Sequence, residues 1–159
     1  MNTDLKIGEK TLTLANNALT PILYRQIFVK DFLLLFSQMI TKNRSIIDKA
    51  LKLQDLKAKL DAEEIDKEAF LAGVGEANLT DEDLAVINER ADLMSELAFV
   101  MNKQAELENV DKLLKLNKTD YYKFLADFNT SDLRNPEVQN TLITFWQTGA
   151  SGNVEAKNP

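Results

Sequence analysis

The chain has 159 residues and a formal net charge of -6, and it contains neither cysteine nor histidine. This length suits one domain that buries a core without metal or disulfide cross-links. The missing residue types exclude thiol nucleophiles, thiolate and imidazole metal ligands, and the usual proton carrier near neutral pH. Because the negative charge repels phosphate backbones and anionic lipid headgroups, we expect neither a nucleic acid nor a membrane as partner.

Neither a secretory signal nor a membrane span is expected. Residues 1–9 lack a basic start, an apolar stretch and a small-residue cleavage site. The most apolar uncharged stretch, residues 32–41, is about half of the roughly 20 residues that a spanning helix requires. We therefore expect the protein to stay in the cytoplasm where it is made.

The first residues alternate between apolar and polar side chains, which predicts a β-hairpin over about 3–14. Leu5 and Ile7 precede a turn at Gly8, and Leu12 and Leu14 follow it. Glycine accepts the positive φ of a tight turn. A lone hairpin is only marginally stable, so it must pack on helices or pair with another chain.

A long apolar helix is predicted next, beginning at Thr20-Pro21. Threonine caps a helix and proline fits its first position. Up to about Lys42 nearly every turn carries large apolar groups, Phe32 and Phe36 among them. Such a helix is buried on most sides, either at the centre of its own bundle, which we favour, or against a neighbouring subunit.

Two shorter helices are predicted in the middle of the chain. Ser45 is the expected cap of a helix over about 45–60, whose apolar residues recur every three or four positions. The next covers about 63–72, with acidic residues in its first turn and Gly73 and Gly75 ending it.

The strongest helix start is Thr80, because a capping threonine precedes three acidic residues. The apolar stripe that follows alternates between three and four residues, which is typical of a coiled-coil-like seam. Its members are Leu84, Ile87, Ala91, Met94, Ala98, Met101 and Ala105. A helix running unbroken to Leu116 would be about 54 Å long, more than the roughly 40 Å across a compact domain of this size. Either the molecule is elongated or, as we expect, the helix breaks near Glu108-Asn109.

Two helices close the predicted fold. Thr119 is the expected cap of an aromatic helix, and Asn135-Pro136 starts a last helix that contains Trp146. Trp146 is either a core residue, which we favour, or a partner anchor, since tryptophan is frequent in binding hot spots. Residues 149–159 have no apolar period and predict a flexible tail. The fold class is therefore mainly α, a single domain over residues 1–148 with five to seven helices and an N-terminal β-hairpin.

Acidic pairs are the only pattern that suggests catalysis. Residues Glu63 and Asp66, Glu89 and Asp92, and Glu108 and Asp111 each have helical spacing. All-helical nucleotide pyrophosphohydrolases hold magnesium with such pairs, but they also use a Glu-x-x-Glu pair that is absent here. Solvated helix faces explain these pairs better. Phosphate-binding glycine loops are absent too, and we expect no enzyme activity, metal or cofactor.

The order of elements resembles that of tail assembly chaperones from long-tailed, siphovirus-type phages and prophages of Gram-positive bacteria. The similarity rests on the N-terminal hairpin, the Thr20-Pro21 apolar helix, the charged helical middle, and the two ends of the last segment. That segment starts with Asn-Pro-Glu, contains Ile143-x-Phe145-Trp146-Gln147, and is followed by a polar tail ending in Lys157-Asn158-Pro159.

The resemblance implies a non-catalytic protein that binds the tape measure protein and keeps it soluble while the tail tube assembles. It also implies self-association, a host-cytoplasmic location and absence from the mature virion, with the tail tube protein as a further candidate partner. Apolar helix faces would make the contact. Candidate contact residues are Phe32, Phe36, Met94, Met101 and Trp146. Alternatives are a structural head-tail or tail component of the virion and, less favoured, a magnesium-dependent nucleotide pyrophosphohydrolase.

Overall fold

The computed structural model describes residues 2–148, which form a two-stranded antiparallel sheet followed by helices. The elements are β1 (Asn2–Ile7), β2 (Lys10–Ala15), α1 (Thr20–Phe28), α2 (Phe32–Asp61), α3 (Lys67–Glu76), α4 (Asp81–Glu106), α5 (Val110–Leu113), α6 (Lys118–Leu125), α7 (Thr130–Leu133) and α8 (Pro136–Gln147). The predicted mainly α fold class is confirmed. Two four-residue helices, α5 and α7, raise the number of helices in the described residues above the predicted five to seven. The predicted tail, residues 149–159, lies outside them.

The N-terminal hairpin is confirmed over the predicted residues and is one residue longer at each end. Leu5 pairs with Leu12 across the two strands, and Gly8 has a φ of 60° in the turn. Leu5, Ile7 and Leu14 are buried. As expected for a marginal hairpin, it is held by helices: the side-chain amide of Asn102 on α4 donates to the carbonyl of Thr13 at 3.1 Å.

The predicted continuous helix from Thr20 to Lys42 is wrong, because the chain turns between Phe28 and Phe32. Val29 ends α1 in the left-handed conformation, with φ 56° and ψ 37°. Asp31 then accepts a hydrogen bond from the Leu34 backbone at 3.1 Å, which satisfies a free N–H at the start of α2. Helix α2 continues past Ser45 to Asp61, so the predicted start at Ser45 is also wrong.

Several predicted caps shift by a few residues. Leu19, not Thr20, is the N-cap of α1, because the Thr20 hydroxyl instead contacts Asn16 and Gln104 at 2.9 and 2.6 Å. Asn117, not Thr119, caps α6 in a capping box with Asp120. Asparagine is as good a cap as threonine, so residue type alone did not locate the boundary.

The third helix is also shifted relative to its prediction. It begins after Asp66, whose carboxylate accepts from the Ala69 backbone at 2.7 Å, and it ends at Glu76. Gly73 and Gly75 therefore lie inside α3 and do not end it. A glycine typically ends a helix by adopting a positive φ. Among the glycines that the structure describes, only Gly8 has a positive φ.

The predicted start of α4, its predicted break and the start of α8 are all confirmed. Thr80 and Asp83 cap each other, with the Asp83 backbone donating to the Thr80 hydroxyl at 3.2 Å and the Thr80 backbone donating to the Asp83 carboxylate at 2.9 Å. Helix α4 ends at Glu106, and Asn109 caps α5 by accepting from the Asp111 backbone at 2.8 Å.

The chain divides into two compact units. The split unit comprises residues up to Leu35 and residues from Ala91 onward, and the inserted unit is Phe36–Arg90. Helices α2 and α4 contribute residues to both. The predicted single domain over residues 1–148 stays a prediction.

The core of the split unit is built around the second half of α4, where every residue from Leu93 to Asn102 is buried. Aromatic rings pack around it: Phe99 lies 5.5 Å from the rings of both Tyr121 and Phe124, and Phe28 lies 5.0 Å from Tyr121. The central helix is therefore α4. The predicted placement of the apolar segment 20–42 at the centre is wrong, since Ile22, Val29, Leu33, Leu34 and Ile40 are exposed.

Candidate partner-binding surface

Four of the five candidate contact residues are buried in the folded chain. Phe32, Met94 and Met101 have at most 1% of their surface exposed, and Phe36 has 8%. Trp146 is half-buried, with its ring edge-to-face against Phe32 at 4.6 Å. The four buried side chains thus contribute to packing, and a partner that leaves the fold intact must contact residues other than these four.

A buried polar cluster lies inside the split unit. The Tyr24 hydroxyl donates to the Glu96 carboxylate, and the Lys30 ammonium contacts the same carboxylate at 3.0 Å. Burial, followed by the hydrogen bond to Glu96 and its negative charge, raises the pKa of the Tyr24 phenol above its ordinary value. The carboxylate is satisfied by one neutral donor and one cation, so the cluster acts as a structural support within the core.

A small depression of about 180 Å³ opens beside this cluster, lined by Asp92, Ser95, Tyr121 and Arg134 among others. Burial and the nearby charges of Glu96 and Asp92 raise the pKa of Tyr121, so its phenol stays protonated to a higher pH than that of an ordinary tyrosine. The Ser95 hydroxyl donates to the Ala91 carbonyl at 2.9 Å. A serine hydroxyl held in this way is poorly placed for nucleophilic attack.

Two members of the acidic pairs make local contacts through their side chains. Asp66 caps α3, and Glu89 pairs with Lys42 at 3.4 Å. Within residues 2–148, no three acidic side chains come close enough together to hold a metal ion. None of the helices in the same range is both long and apolar enough to cross a membrane.

The inserted unit is an antiparallel packing of α2 against α3 and the start of α4. The cross-helix ion pairs show this orientation, because residue numbers rise along α2 as they fall along α4. Lys42 contacts Glu89, and Lys49 contacts the Asp83 carboxylate. Further along, Lys52 meets Glu76 at 3.2 Å. Helices α4 and α3 thus follow one another along the same side of α2.

This unit buries little of its own apolar surface. No residue of α3 and none of residues 40–61 of α2 is fully buried. Large apolar side chains in the unit that remain 40–58% exposed are Ile40, Ile47, Leu51, Leu71, Leu79 and Leu84. Single exposed apolar residues are common on protein surfaces, so these side chains indicate a binding surface only if they lie close together.

Four of these six exposed apolar residues, Ile40, Ile47, Leu71 and Leu84, share one side of the inserted unit. Ile40 and Ile47 each directly follow a packing residue of α2, namely Met39 and Ile46. Leu71 directly follows the packing residue Phe70 of α3, and Leu84 directly follows the packing residue Asp83 of α4. Moving one residue along a helix rotates the side-chain direction by about 100°. On two antiparallel helices that pack together, the same rotation turns both side chains toward the same side of the pair.

We call the uncharged residues of this side the neutral face; Arg44 and Lys57, which directly follow the packing residues Asn43 and Leu56, lie on the same side. It consists of Ile40, Ile47 and Gln54 on α2, Leu71 and Gly75 on α3, and Leu84 and Asn88 on α4. The opposite side holds residues that precede the packing positions, such as Lys52, Glu76 and Glu89, and two of the cross-helix ion pairs form there. The inserted unit therefore has two ion pairs on one side, and four exposed leucine and isoleucine residues together with two basic residues on the other.

Comparisons of the chain with protein-family models, with curated proteins and with solved structures found no match. The neutral face was missed from the sequence because its residues come from three helices. The signal that could have found it is the recurrence of leucine or isoleucine one position after several of the packing residues.

Proposed function

We propose that this chain is a tail assembly chaperone of a long-tailed phage or prophage that binds the tape measure protein and keeps it soluble during tail tube assembly. The resemblance in element order and chain ends supports this proposal. The structural observation that carries it is the neutral face, with its exposed leucine and isoleucine side chains on one side of the inserted unit of an acidic protein.

The physical mechanism requires no catalysis. A tape measure protein is expected to consist of long helices whose apolar stripes would associate with one another in water. Covering such a stripe with the neutral face removes apolar surface from water at about 25 cal/mol per Å². The charged side of the chaperone remains in solvent, and net charge opposes association of the covered complexes.

We propose further that the protein acts in the host cytoplasm, self-associates and is absent from the mature virion. The tail tube protein is a second candidate partner. A structural head-tail or tail component is the alternative, and mass spectrometry of purified particles separates the two: a chaperone is missing, whereas a structural component is present in stoichiometric amount.

The direct test is co-expression with a tape measure protein from the same phage or prophage genome. We expect the client to be mostly insoluble when expressed alone, or with an unrelated acidic helical protein, and to become soluble and co-purify when this chain is present. A client that stays insoluble with this chain present would overturn the proposal.

A further inference from the structure

The outer edge of strand β1 is free, whereas that of β2 contacts α4. The carbonyl of Thr13 on β2 accepts a hydrogen bond from the Asn102 side chain on α4, so it points away from β1. Paired residues of an antiparallel ladder alternate between those that exchange backbone hydrogen bonds and those whose N–H and C=O groups point outward. Because Thr13 pairs with Asp4, the backbone groups of Asp4 also point outward. By the same alternation, so do those of Lys6.

These outward groups have no partner in the part of the chain that the structure describes. Within residues 2–148, the backbone N–H and C=O groups of Asp4 and Lys6 form no hydrogen bond, and both residues are exposed. A groove of about 400 Å³ lies beside them, lined by β1 and by Glu137 and Thr141 of α8. The edge is therefore open to another strand, and an exposed edge is a template for pairing.

The charges of β1 match a second copy of the same strand. When two copies run antiparallel with their outward backbone groups facing each other, one register places Asp4 of each copy opposite Lys6 of the other. Slipping this register by two residues in either direction places Asp4 opposite Asp4, or Lys6 opposite Lys6. Opposite charges stabilise a cross-strand pair and like charges destabilise it. The strand thus specifies one register for pairing with itself.

The same register keeps the apolar side chains of the two hairpins on one face. Leu5 lies opposite Leu5 of the second copy, and Ile7 lies opposite Thr3. These residues point toward the helices of their own copy, where Leu5 and Ile7 are buried, so pairing leaves the cores intact. Each charged pair exchanges two backbone hydrogen bonds. The product is one continuous sheet, and a sheet of more than two strands is more stable than a single hairpin.

The groove beside β1 also favours a strand that brings a lysine. Asp132 and Glu137 line it together with Asp4. Among residues 2–148, no ion pair involves Asp4, Lys6, Asp132 or Glu137, so their charges are available to a partner. Strand β1 of a second copy brings one lysine to these carboxylates and one aspartate to Lys6, and both contacts are attractive.

We infer that two copies of this chain associate through β1, antiparallel and about a two-fold axis, with Asp4 of each copy opposite Lys6 of the other. A symmetric contact of this kind is self-complementary and closes after two copies. The inference goes beyond client binding and follows from the strand itself, whatever the client is. Because one strand edge buries a small area, the dimer dissociates on dilution.

The first test reverses the two charges in the full-length chain and measures self-association by analytical ultracentrifugation. Asp4→Lys leaves only positive charges in the pairing, and Lys6→Asp leaves only negative ones. Each variant alone should raise the dissociation constant of the dimer about tenfold or more. An equimolar mixture of the two should associate like the unaltered chain, because every lysine then lies opposite an aspartate.

Glu9→Lys is the matched control for this test. It makes the same change of charge as Asp4→Lys at an exposed position in the turn, outside the pairing, and it should dimerise like the unaltered chain. Circular dichroism and thermal unfolding verify that each variant is folded. An unaltered chain that stays monomeric at about 1 mM, or a mixture that associates no better than the single variants, would show the inference to be wrong.

The second test measures the register and does not depend on charge. The natural chain has no cysteine, so Asp4→Cys and Lys6→Cys variants are mixed and oxidised. Opposed residues that exchange hydrogen bonds have Cα atoms about 5.5 Å apart, a separation that a disulfide spans. The mixed dimer, joined from position 4 to position 6, should exceed both homodimers severalfold. A yield no higher than that from a mixture of Lys6→Cys with Glu9→Cys would contradict the register.

The occupant of the edge is checked in the complex with the tape measure protein. Oxidation of the Asp4→Cys and Lys6→Cys mixture during co-expression with a client that carries engineered cysteines should still join two copies of this chain. Cross-links from these positions to the client instead would overturn self-pairing. The proposed chaperone function is judged separately: charge-reversed variants that no longer dimerise but still solubilise the client leave it standing, and an unaltered chain that dimerises without solubilising the client removes it.

Discussion

The hydroxyl of Tyr24 on α1 donates a hydrogen bond to the carboxylate of Glu96 on α4, and both residues are buried. Seventy-two positions separate them in the sequence, so this bond exists only when α1 and α4 are packed together. Lys30, which contacts the same carboxylate, lies just before α2. One carboxylate thus connects the α1 to α2 turn with the central helix of the split unit.

Tyr24→Phe should lower the free energy of unfolding by about 1.5–3 kcal/mol, the usual range for a hydrogen bond to a charged group. The ring stays in place, but the buried carboxylate loses a donor. Urea unfolding at neutral pH measures the change. Tyr122→Phe is the matched control, since Tyr122 is 61% exposed and should unfold like the unaltered protein. Equal stability of the two variants would contradict the structural role of this bond.

Stability should also decline at alkaline pH. Burial raises the pKa values of Tyr24 and Tyr121 above the ordinary value of 10.0. The folded state therefore keeps these phenols protonated where the unfolded state releases their protons. This contribution is fully present below pH 10 and is lost progressively as the pH rises above it. Denaturant midpoints measured from pH 8 to 11.5 should fall less steeply in Tyr121→Phe than in the unaltered protein.

The inserted unit should show the opposite dependence through Asp83. The hydrogen bond from Lys49, followed by that from the Thr80 backbone, lowers the pKa of the Asp83 carboxyl. A lowered pKa stabilises the fold above the carboxyl's ordinary pKa, and this contribution is lost as the pH falls through the lowered value. Asp83→Asn should therefore unfold at a lower temperature than the unaltered chain at pH 7, with the difference vanishing in strong acid. The exposed neighbour Glu82, changed to glutamine, provides the control.

Two glycines of α3 should respond differently to alanine. Gly75→Ala should raise the free energy of unfolding by about 0.5–1 kcal/mol, because alanine favours the helix and the added methyl group meets nothing. Gly73→Ala gains the same propensity but must displace Leu56, so its stability should be lower than that of Gly75→Ala. Thermal unfolding of both variants tests this order, and the reverse order would contradict the close approach of α2 and α3.

Replacing the buried Met94 with alanine tests whether this residue belongs to the core. Met94→Ala should lower the free energy of unfolding by about 2–5 kcal/mol through lost burial and the cavity it leaves. Leu71→Ala, at a position 58% exposed, should change it by no more than about 0.5 kcal/mol. Urea unfolding distinguishes the two. A small effect at Met94 would restore it as a candidate surface contact.

The sequence predicted most clearly those features that depend on neighbouring residues. The hairpin around Gly8, the reciprocal cap of Thr80 and Asp83, and the helix start at Asn135 each follow from a few adjacent side chains. The break before Asn109 was predicted from length, because an unbroken helix exceeded the size of a compact domain.

The errors arose where tertiary packing decided between local alternatives. Asp31 interrupts the apolar segment 20–42, but a single capping residue is a weak signal of a helix start among so many helix-compatible neighbours. Val29 adopts a left-handed backbone conformation that is rare for a β-branched residue, so the local sequence did not predict it. The candidate contacts were chosen for size and apolarity, the same properties that place Phe32, Met94 and Met101 in the core.

The division of the chain has a consequence for its synthesis. The inserted unit is formed by consecutive residues, so all of its helix pairings become available once Arg90 has left the ribosome. The split unit must join its first 35 residues to segments made much later, including α8, whose backbone accepts hydrogen bonds from Asn16. Long-range closure of this kind is slow, and we expect the helices between the two halves to acquire structure during translation, before the N-terminal strands find their final neighbours.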